Sequence, residues 1–282
     1  MIFINEHWRQ TLVKNNLQTF KDIWQLEVKW VEEPNIRRGG WSGVSKIRLK
    51  SQGKDQWVFL KRQKKHLSRS IRHPLGIPTL KKEFENIKNF DHAGIDTLVP
   101  VAFGVRGRCS ILMTEALSNY IALSDLTEYV QKGGVISKTL KLSIIEAVAN
   151  LVRLSHDKAL LHNSLYPKHI FIKAQISNGH LVCDKYPHVR YIDLEKARSV
   201  SNRKTLIYRD LDTLNRRTPF WSDSDRMFFY KRYLKQDSLD VAGKLIAKVL
   251  AEKARQHRVR LGSLVRTNSP FTKICVTTKG NG

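Results

Sequence analysis

The sequence predicts an α+β protein in two lobes, an antiparallel sheet followed by a mostly helical half, and three observations carry that prediction. Up to about residue 117, apolar residues alternate in short runs separated by glycine-containing turns, the period-two signature of strands. Beyond Leu117 the period changes, and Leu140, Ile144, Val148 and Leu151 recur as they would along one face of a helix. With 282 residues, 41% of them hydrophobic and six of them tryptophan, the chain can bury a core large enough for both halves. The expected division is residues 1–117, residues 118–260 and a polar, frayed tail over 261–282.

The elements follow in order. Leu17, Phe20, Ile23 and Trp24 have helical spacing and predict a short amphipathic helix within 15–26, and VKWVEE (28–33) alternates as a strand would. RRGGWSGVSKIRLKS is a glycine-rich turn running into alternating Val44, Ile47 and Leu49, and WVFLKRQ (57–63) is the next strand. The segment 64–78 has few spaced apolar residues and reads as a mobile basic loop. PTLKKEFENIKNF (78–90) places Leu80, Phe84 and Ile87 on one helical face. LVPVAFGVRG and CSILMTEAL are two further strands joined at a Gly-Arg turn. A long helix runs to about Lys158, IFIKA and HVRYIDLEKAR are strand-like, and 204–260 is mostly helical with a break at Pro219.

Composition narrows the function classes. A formal charge of +25 implies an anionic partner: nucleic acid, an anionic membrane surface or a phosphorylated substrate. The excess is uneven, with fourteen Lys/Arg and one acid, Asp55, between Arg37 and Lys82. That block reads either as a surface for phosphate or lipid headgroups or as an ordinary solvated face. Cys109, Cys183 and Cys275 have no paired spacing, which argues against a zinc site or disulfide framework and for a reducing compartment. The N-terminus lacks a signal-peptide pattern and no apolar run reaches the ~18 residues of a membrane span, so the expected location is cytoplasmic. Charge is the only argument for nucleic acid. KARQHRVR (253–260) is as easily a solvated helix end, and no specific nucleic-acid partner is expected.

Several residues carry chemistry. Gly39, Gly40 and Gly43 sit in a turn between strands, where backbone N–H groups can approach phosphate oxygens, although a plain glycine hairpin looks the same in sequence. Lys61 lies late in an apolar strand, where its ammonium wants an anion; an exposed edge-strand lysine is the alternative. Glu83 and Glu85 on the next helix are the available carboxylates. LLHNSLYPKHIFIK (160–173) follows the long helix, and Asp193 ends an apolar strand about thirty residues beyond His162.

Order constrains more than any one of these. Glycine-rich hairpin, strand Lys, helix Glu, two strands, long helix, His-containing loop and strand-end Asp is the succession of parts in a protein-kinase-like enzyme. There the Lys and its Glu partner orient phosphates and the Asp binds Mg²⁺. In that succession His162 organises backbone, and His169 stands where many kinases have a second metal ligand.

RRGGWSGVS, FLKRQ, HPLGIPTLKKEF, LLHNSLYPKHIFI, YIDLEKAR and YRDLDTLNRR together resemble the lipopolysaccharide kinase (InaA-type) family, relatives of the heptose and Kdo kinases of the lipopolysaccharide core, over roughly residues 15–235. The resemblance implies a protein-kinase-like bilobal fold using ATP and Mg²⁺ in a Gram-negative cytoplasm, peripheral to the inner membrane. It also implies a lipopolysaccharide-core or other anionic glycolipid acceptor and an anionic inner-membrane surface as a partner. By position, Gly39, Gly40 and Gly43 correspond to the phosphate loop, Lys61 to the phosphate-orienting lysine, Glu83 to its partner and Asp193 to the metal ligand. Asp210 resembles the aspartate that braces the catalytic loop, or is an ordinary helix-start Asp.

One departure bears on catalysis. The lipopolysaccharide heptose kinases have His-Arg-Asp-Leu where this chain has His162, Asn163, Ser164 and Leu165. A serine hydroxyl is a poor proton acceptor near neutral pH, so Ser164 implies slow transfer unless Asp157 or His169 serves as base. A pseudokinase that binds without catalysing is the competing expectation.

Overall fold

The computed structural model describes residues 2–267 apart from 32, 38, 52, 71–72 and 203–205. Strand β1 (Ile2–Ile4) leads into two short helices, α1 (Arg9–Lys14) and α2 (Phe20–Gln25). Thr19 and Asp22 start α2 with a reciprocal capping box, each side chain taking the other's backbone N–H. Strands β2 (Asn35–Arg37), β3 (Gly40–Leu49) and β4 (Gln56–Lys64) follow, then β5 (Leu67–Ser70), β6 (His73–Pro78), helix α3 (Thr79–His92), β7 (Pro100–Arg106) and β8 (Cys109–Glu115). The main sheet is antiparallel, six-stranded and ordered β1-β7-β8-β4-β3-β2.

Alternation along β4 places the chemistry. Successive side chains point to opposite faces of a sheet. Val58 and Leu60 join an outer core with Trp8, Leu12, Ile23 and Met113. Lys61, Phe59 and Trp57 therefore face the other way. On that inner side α3 buries Leu80, Phe84, Ile87 and Phe90, an apolar stripe at helical spacing, in a second core that continues into the helical half.

The rest of the described chain comprises β9 (Tyr120–Ala122), α4 (Leu123–Gln131), α5 (Lys138–Asp157), β10 (Leu160–Leu161), β11 (Ile170–Ser177), β12 (His180–Cys183), β13 (Val189–Tyr191) and β14 (Arg198–Ser199). A π-helical turn (Ile207–Leu211), α6 (Asp212–Arg217), α7 (Asp223–Leu234) and α8 (Val241–Thr267) complete it. Ser137 caps α5 by accepting the Leu140 N–H. β11 is the hub of a small antiparallel sheet, pairing β9, β12 and β13. The segment 162–169 is thus held between β10 and β11, and Asp193 follows β13 after one residue, Ile192.

Three expectations need correction. Residues 64–78 are not a loop: Lys64 ends β4, and β5 and β6 form a hairpin that bulges between Ser68 and Ser70. Its sparse apolar content hid it, because a two-stranded hairpin with both faces near solvent has no alternation to read. The strand expected over 28–33 reduces to a single bridge, Trp30 to Ser45. The short helix expected within 15–26 is present as Phe20–Gln25, after its Thr19 cap. The helix expected to fray after Leu261 continues to Thr267, and the rest of the tail lies outside the described residues. Among the described residues no helix is long and apolar enough to cross a membrane.

Candidate active site

Lys61 projects from the inner face of β4 toward α3, and its Nζ lies 2.6 Å from Glu83 Oε1. Glu83 is fully buried, whereas Glu85, two residues on, points away and pairs with Lys81 at 3.8 Å. The 100° step between helical residues separates the two carboxylates. Burial works against the Lys61 charge, but Glu83, Asp193 and Glu195 more than offset it and hold the ammonium above its usual pKa. The second Glu83 oxygen, Oε2, is buried without a hydrogen-bond partner among the described residues.

The segment from His162 to His169 is fixed by the backbone more than by side chains. Asp210, fully buried, accepts the N–H groups of both His162 and Asn163 at 2.8 Å. Those bonds hold Asn163 at φ 61°, in the left-handed region where asparagine is among the tolerated residues. His156 on α5 stands 3.4 Å from the same carboxylate and 2.8 Å from the Tyr233 hydroxyl, linking the brace to α7. His162 Nε2 donates to the Ile192 carbonyl at 3.1 Å, so the loop is tied to the residue preceding Asp193.

Asp193 is also left-handed, at φ 57°, which ends β13 and turns the carboxylate inward. One oxygen lies 3.9 Å from Lys61 Nζ and the other 3.2 Å from His169 Nε2. Burial raises the Asp193 carboxyl, but its charged neighbours, the Lys61 ammonium foremost, outweigh it and hold it below the usual range. His169 Nδ1 faces the Ser164 carbonyl at 2.8 Å. A carbonyl only accepts, so Nδ1 carries the hydrogen and neutral His169 presents its Nε2 lone pair to Asp193. Burial favours that neutral form. An imidazole nitrogen is a soft ligand for Mg²⁺, so the oxygen donors such a hard cation prefers here are carboxylates, Asp193 first among them.

Glu195 completes the cluster and was not singled out in the sequence. Its carboxylate, with those of Glu83 and Asp193, brings three oxygens within 4.8 Å of one another. Burial and the neighbouring Asp193 raise its pKa. The only signal was its place two residues after Asp193, where a short 3₁₀ turn (Leu194–Lys196) brings it back toward the site.

A cavity of about 430 Å³ opens above this cluster, with Lys61, Glu83, Ile192 and Asp193 at its inner end. Val44, Trp57, Phe59, Phe171 and Tyr120 give it largely apolar walls, and residues 114–118 form its rim. The Ala116 N–H is taken by the Trp57 carbonyl and the Ser118 N–H by the Ala116 carbonyl, both at 2.9 Å. Leu117 between them has no backbone acceptor for its N–H among the described residues. None of these aromatic walls was legible as a site, since each looked like core.

The glycines sit elsewhere. Gly39 and Gly40 line a separate groove with Trp30 and Trp41, and none of Gly39, Gly40 and Gly43 lines the cavity that holds Lys61. A Cβ on Gly40 would meet the Lys64 carbonyl oxygen at 2.6 Å, and one on Gly43 the Trp30 ring at 2.6 Å. Packing within the sheet therefore accounts for two of the three. Gly39, at φ 73°, has open space around its Cβ position. Asp157, considered as a base, is exposed at the end of α5, 3.7 Å from Arg153, outside the cavity lining.

The family model described as "Lipopolysaccharide kinase (Kdo/WaaP) family" matches residues 21–233. The chain belongs to the lipopolysaccharide kinase (Kdo/WaaP) family. Protein InaA of Escherichia coli (strain K12) is 31% identical over 204 residues, which cover 70% of this chain and 87% of that one. A solved structure described as WaaP in complex with acyl carrier protein superposes with a TM-score of 0.63 at 21% identity, covering 91% of this chain and 99% of the other. At that identity the likeness concerns the fold, which is protein-kinase-like. Membership in the family makes this chain a kinase-type phosphotransferase related to lipopolysaccharide.

Proposed function

We propose that this protein transfers the terminal phosphoryl group of ATP to a sugar hydroxyl of the lipopolysaccharide core or a related anionic envelope glycolipid, at a rate reduced by Ser164. The observation that carries the reading is the Asp193 carboxylate, shared between Lys61 at 3.9 Å and His169 at 3.2 Å at the inner end of a cavity. That is the arrangement a nucleotide phosphate and a divalent cation need.

In this reading the apolar walls receive the base, with the Leu117 N–H as a donor to it. Lys61, kept charged and steered by Glu83, contacts the non-transferred phosphates. Asp193, with His169 and Glu195, would hold Mg²⁺, which when bound would supply charge neutralisation at the phosphates. An acceptor hydroxyl oxygen forms a new bond to phosphorus as the bond to the ADP oxygen breaks and its electron pair leaves with ADP, and the acceptor's proton passes to an oxygen of the transferred phosphate or to water. Asp210 and His162 keep the 162–169 backbone in place for that step.

Ser164 cannot accept the proton well, and a positioned base contributes on the order of 10²- to 10⁴-fold. Positioning and charge stabilisation carry most of phosphoryl transfer, so activity falls without vanishing. The setting for this reaction is the cytoplasmic side of the inner membrane. A pseudokinase that binds nucleotide without transfer is the second reading, and Ser164 is what favours it.

Thermal shift with and without Mg²⁺ tests the binding half. Millimolar ATP with Mg²⁺ should raise Tm, and Lys61→Met and Asp193→Asn should each abolish the rise; an unchanged wild-type curve refutes nucleotide binding. Transfer of labelled phosphate to purified lipopolysaccharide core tests the other half. Gain of transfer in Ser164→Asp over a silent wild type would favour the pseudokinase reading.

A further inference from the structure

Strand register puts one row of residues across an end of the main sheet. Arg106 pairs Cys109, Cys109 pairs Lys64, Lys64 pairs Trp41, and Ile36 pairs Trp41, so β7, β8, β4, β3 and β2 all terminate together. At the usual strand separation this row spans roughly 19 Å. Lys65 N–H bonds the Arg108 carbonyl at 2.8 Å, which closes the row between β4 and the β7–β8 turn. The hairpin β5–β6 rises from the same end, three residues beyond Lys64. Its base is tied down by a polar chain: Thr79 Oγ1 donates to Gln63 at 2.7 Å, and Gln63 donates to Ser42 at 3.0 Å.

The chemistry of this end is two-fold. Lys64, Lys65, Arg69, Arg106 and Arg108 are exposed, and none is in an ion pair among the described residues. Two apolar side chains on these elements also face solvent: Ile36 is 77% exposed and Leu75 on the hairpin 88%. A groove of about 410 Å³, lined by Trp30, Pro34, Ile36 and Trp41, opens beside Ile36. Unpaired cations alone suit any polyanion. Aliphatic tips and an indole-lined groove set among them suit a surface that is charged outside and hydrocarbon beneath.

We propose that this end of the sheet is a docking surface for an anionic lipid bilayer, with Ile36 and Leu75 entering the headgroup region and the lysines and arginines meeting lipid phosphates. Lys61 is three residues from Lys64 along β4, about 10 Å at the rise of a strand, and points to the opposite face of the sheet, so docking at this end would hold the candidate active site near the membrane surface while leaving its cavity uncovered. This inference extends the reading that the acceptor is a membrane glycolipid, but it needs neither nucleotide nor transfer.

Sedimentation with vesicles of phosphatidylcholine, with and without 30% phosphatidylglycerol, tests it on the full chain. Binding should require the anionic lipid and weaken sharply between 0.1 and 0.5 M salt. Each basic residue near such a surface is worth ~1 kcal/mol, or about fivefold in partitioning, so Lys64→Gln, Lys65→Gln and Arg108→Gln together should lower it about 100-fold. Ile36→Ser with Leu75→Ser should weaken binding without changing its salt dependence, and lipids brominated in their acyl chains should quench tryptophan emission less in Trp41→Phe. Lys61→Met should bind vesicles as wild type does, which separates failure of docking from failure of the nucleotide site. Equal binding to neutral vesicles, no loss in the triple variant, or retention on DNA with none on vesicles would each overturn the proposal.

Discussion

Removing the Asp210 carboxylate should loosen the 162–169 segment and destabilise the whole protein by a calculable amount. In Asp210→Ala, the N–H groups of His162 and Asn163 each lose a 2.8 Å bond to a buried charged acceptor. Hydrogen bonds to charged groups contribute about 1.5–3 kcal/mol, so the pair is worth about 3–6 kcal/mol, and the His156 contact adds to it. Unfolding entropy of about 2.1 cal/mol/K per residue gives about 0.6 kcal/mol/K for 282 residues, so Tm should fall by roughly 5–10 °C. Asp210→Asn keeps one acceptor oxygen and turns an amide N–H₂ toward the other donor; it should lie between the two. Calorimetry on the three proteins, with urea denaturation as a second readout, measures both steps. A fall of less than about 2 °C in Asp210→Ala would mean that water or backbone rearrangement satisfies the two N–H groups, and the brace argument fails.

Gly43→Ala should cost about 1–3 kcal/mol because its Cβ would enter the Trp30 ring at 2.6 Å, whereas Gly39→Ala meets no atom and costs only the left-handed backbone, about 1–2 kcal/mol; denaturation of both, with Gly43→Ala paired to Trp30→Leu as relief, separates clash from conformation. Burial lowers the His162 pKa, so the unfolded chain binds its proton first; stability from this residue is complete above about pH 6.5 and is lost as pH falls below it. The Tm of His162→Gln should accordingly depend less on pH between 7 and 5 than that of wild type. Glu83→Gln should weaken ATP binding by removing the charge that steers Lys61, and Glu85→Gln, 48% exposed and paired with Lys81, should leave it unchanged in the same titration.

Much of this architecture was legible because local and global signals agree. The buried stripe of α3 and the alternation in β3, β4, β7 and β8 mark their partners' position as well as their own conformation. The hairpin over 67–78 and the lost strand over 28–33 were not legible, since one lacks a buried face and the other has its apolar side chains claimed by packing. Trp30 illustrates the second case: it reads as a strand residue, yet its ring lies under Arg62, with the guanidinium 4.5 Å from its centroid, and against Gly43.

Lys61, Glu83, His162, His169 and Asp193 could be named from sequence because each sits at a definite step in an ordered series of strands, helix and loop. That order is a one-dimensional property, and the chain carries it whole. Which carboxylate meets Lys61, whether Asp210 reaches the loop, and that Glu195 joins Asp193 are matters of direction, set when the α3 stripe packs and when Asp193 takes a left-handed turn. The same holds for the basic end of the sheet: the charges were countable between Arg37 and Lys82, but only strand register, pairing residues dozens of positions apart, lines them up beside Ile36 and Trp41. Sequence specifies side-chain types and local periodicity; long-range pairing decides which of them share a surface.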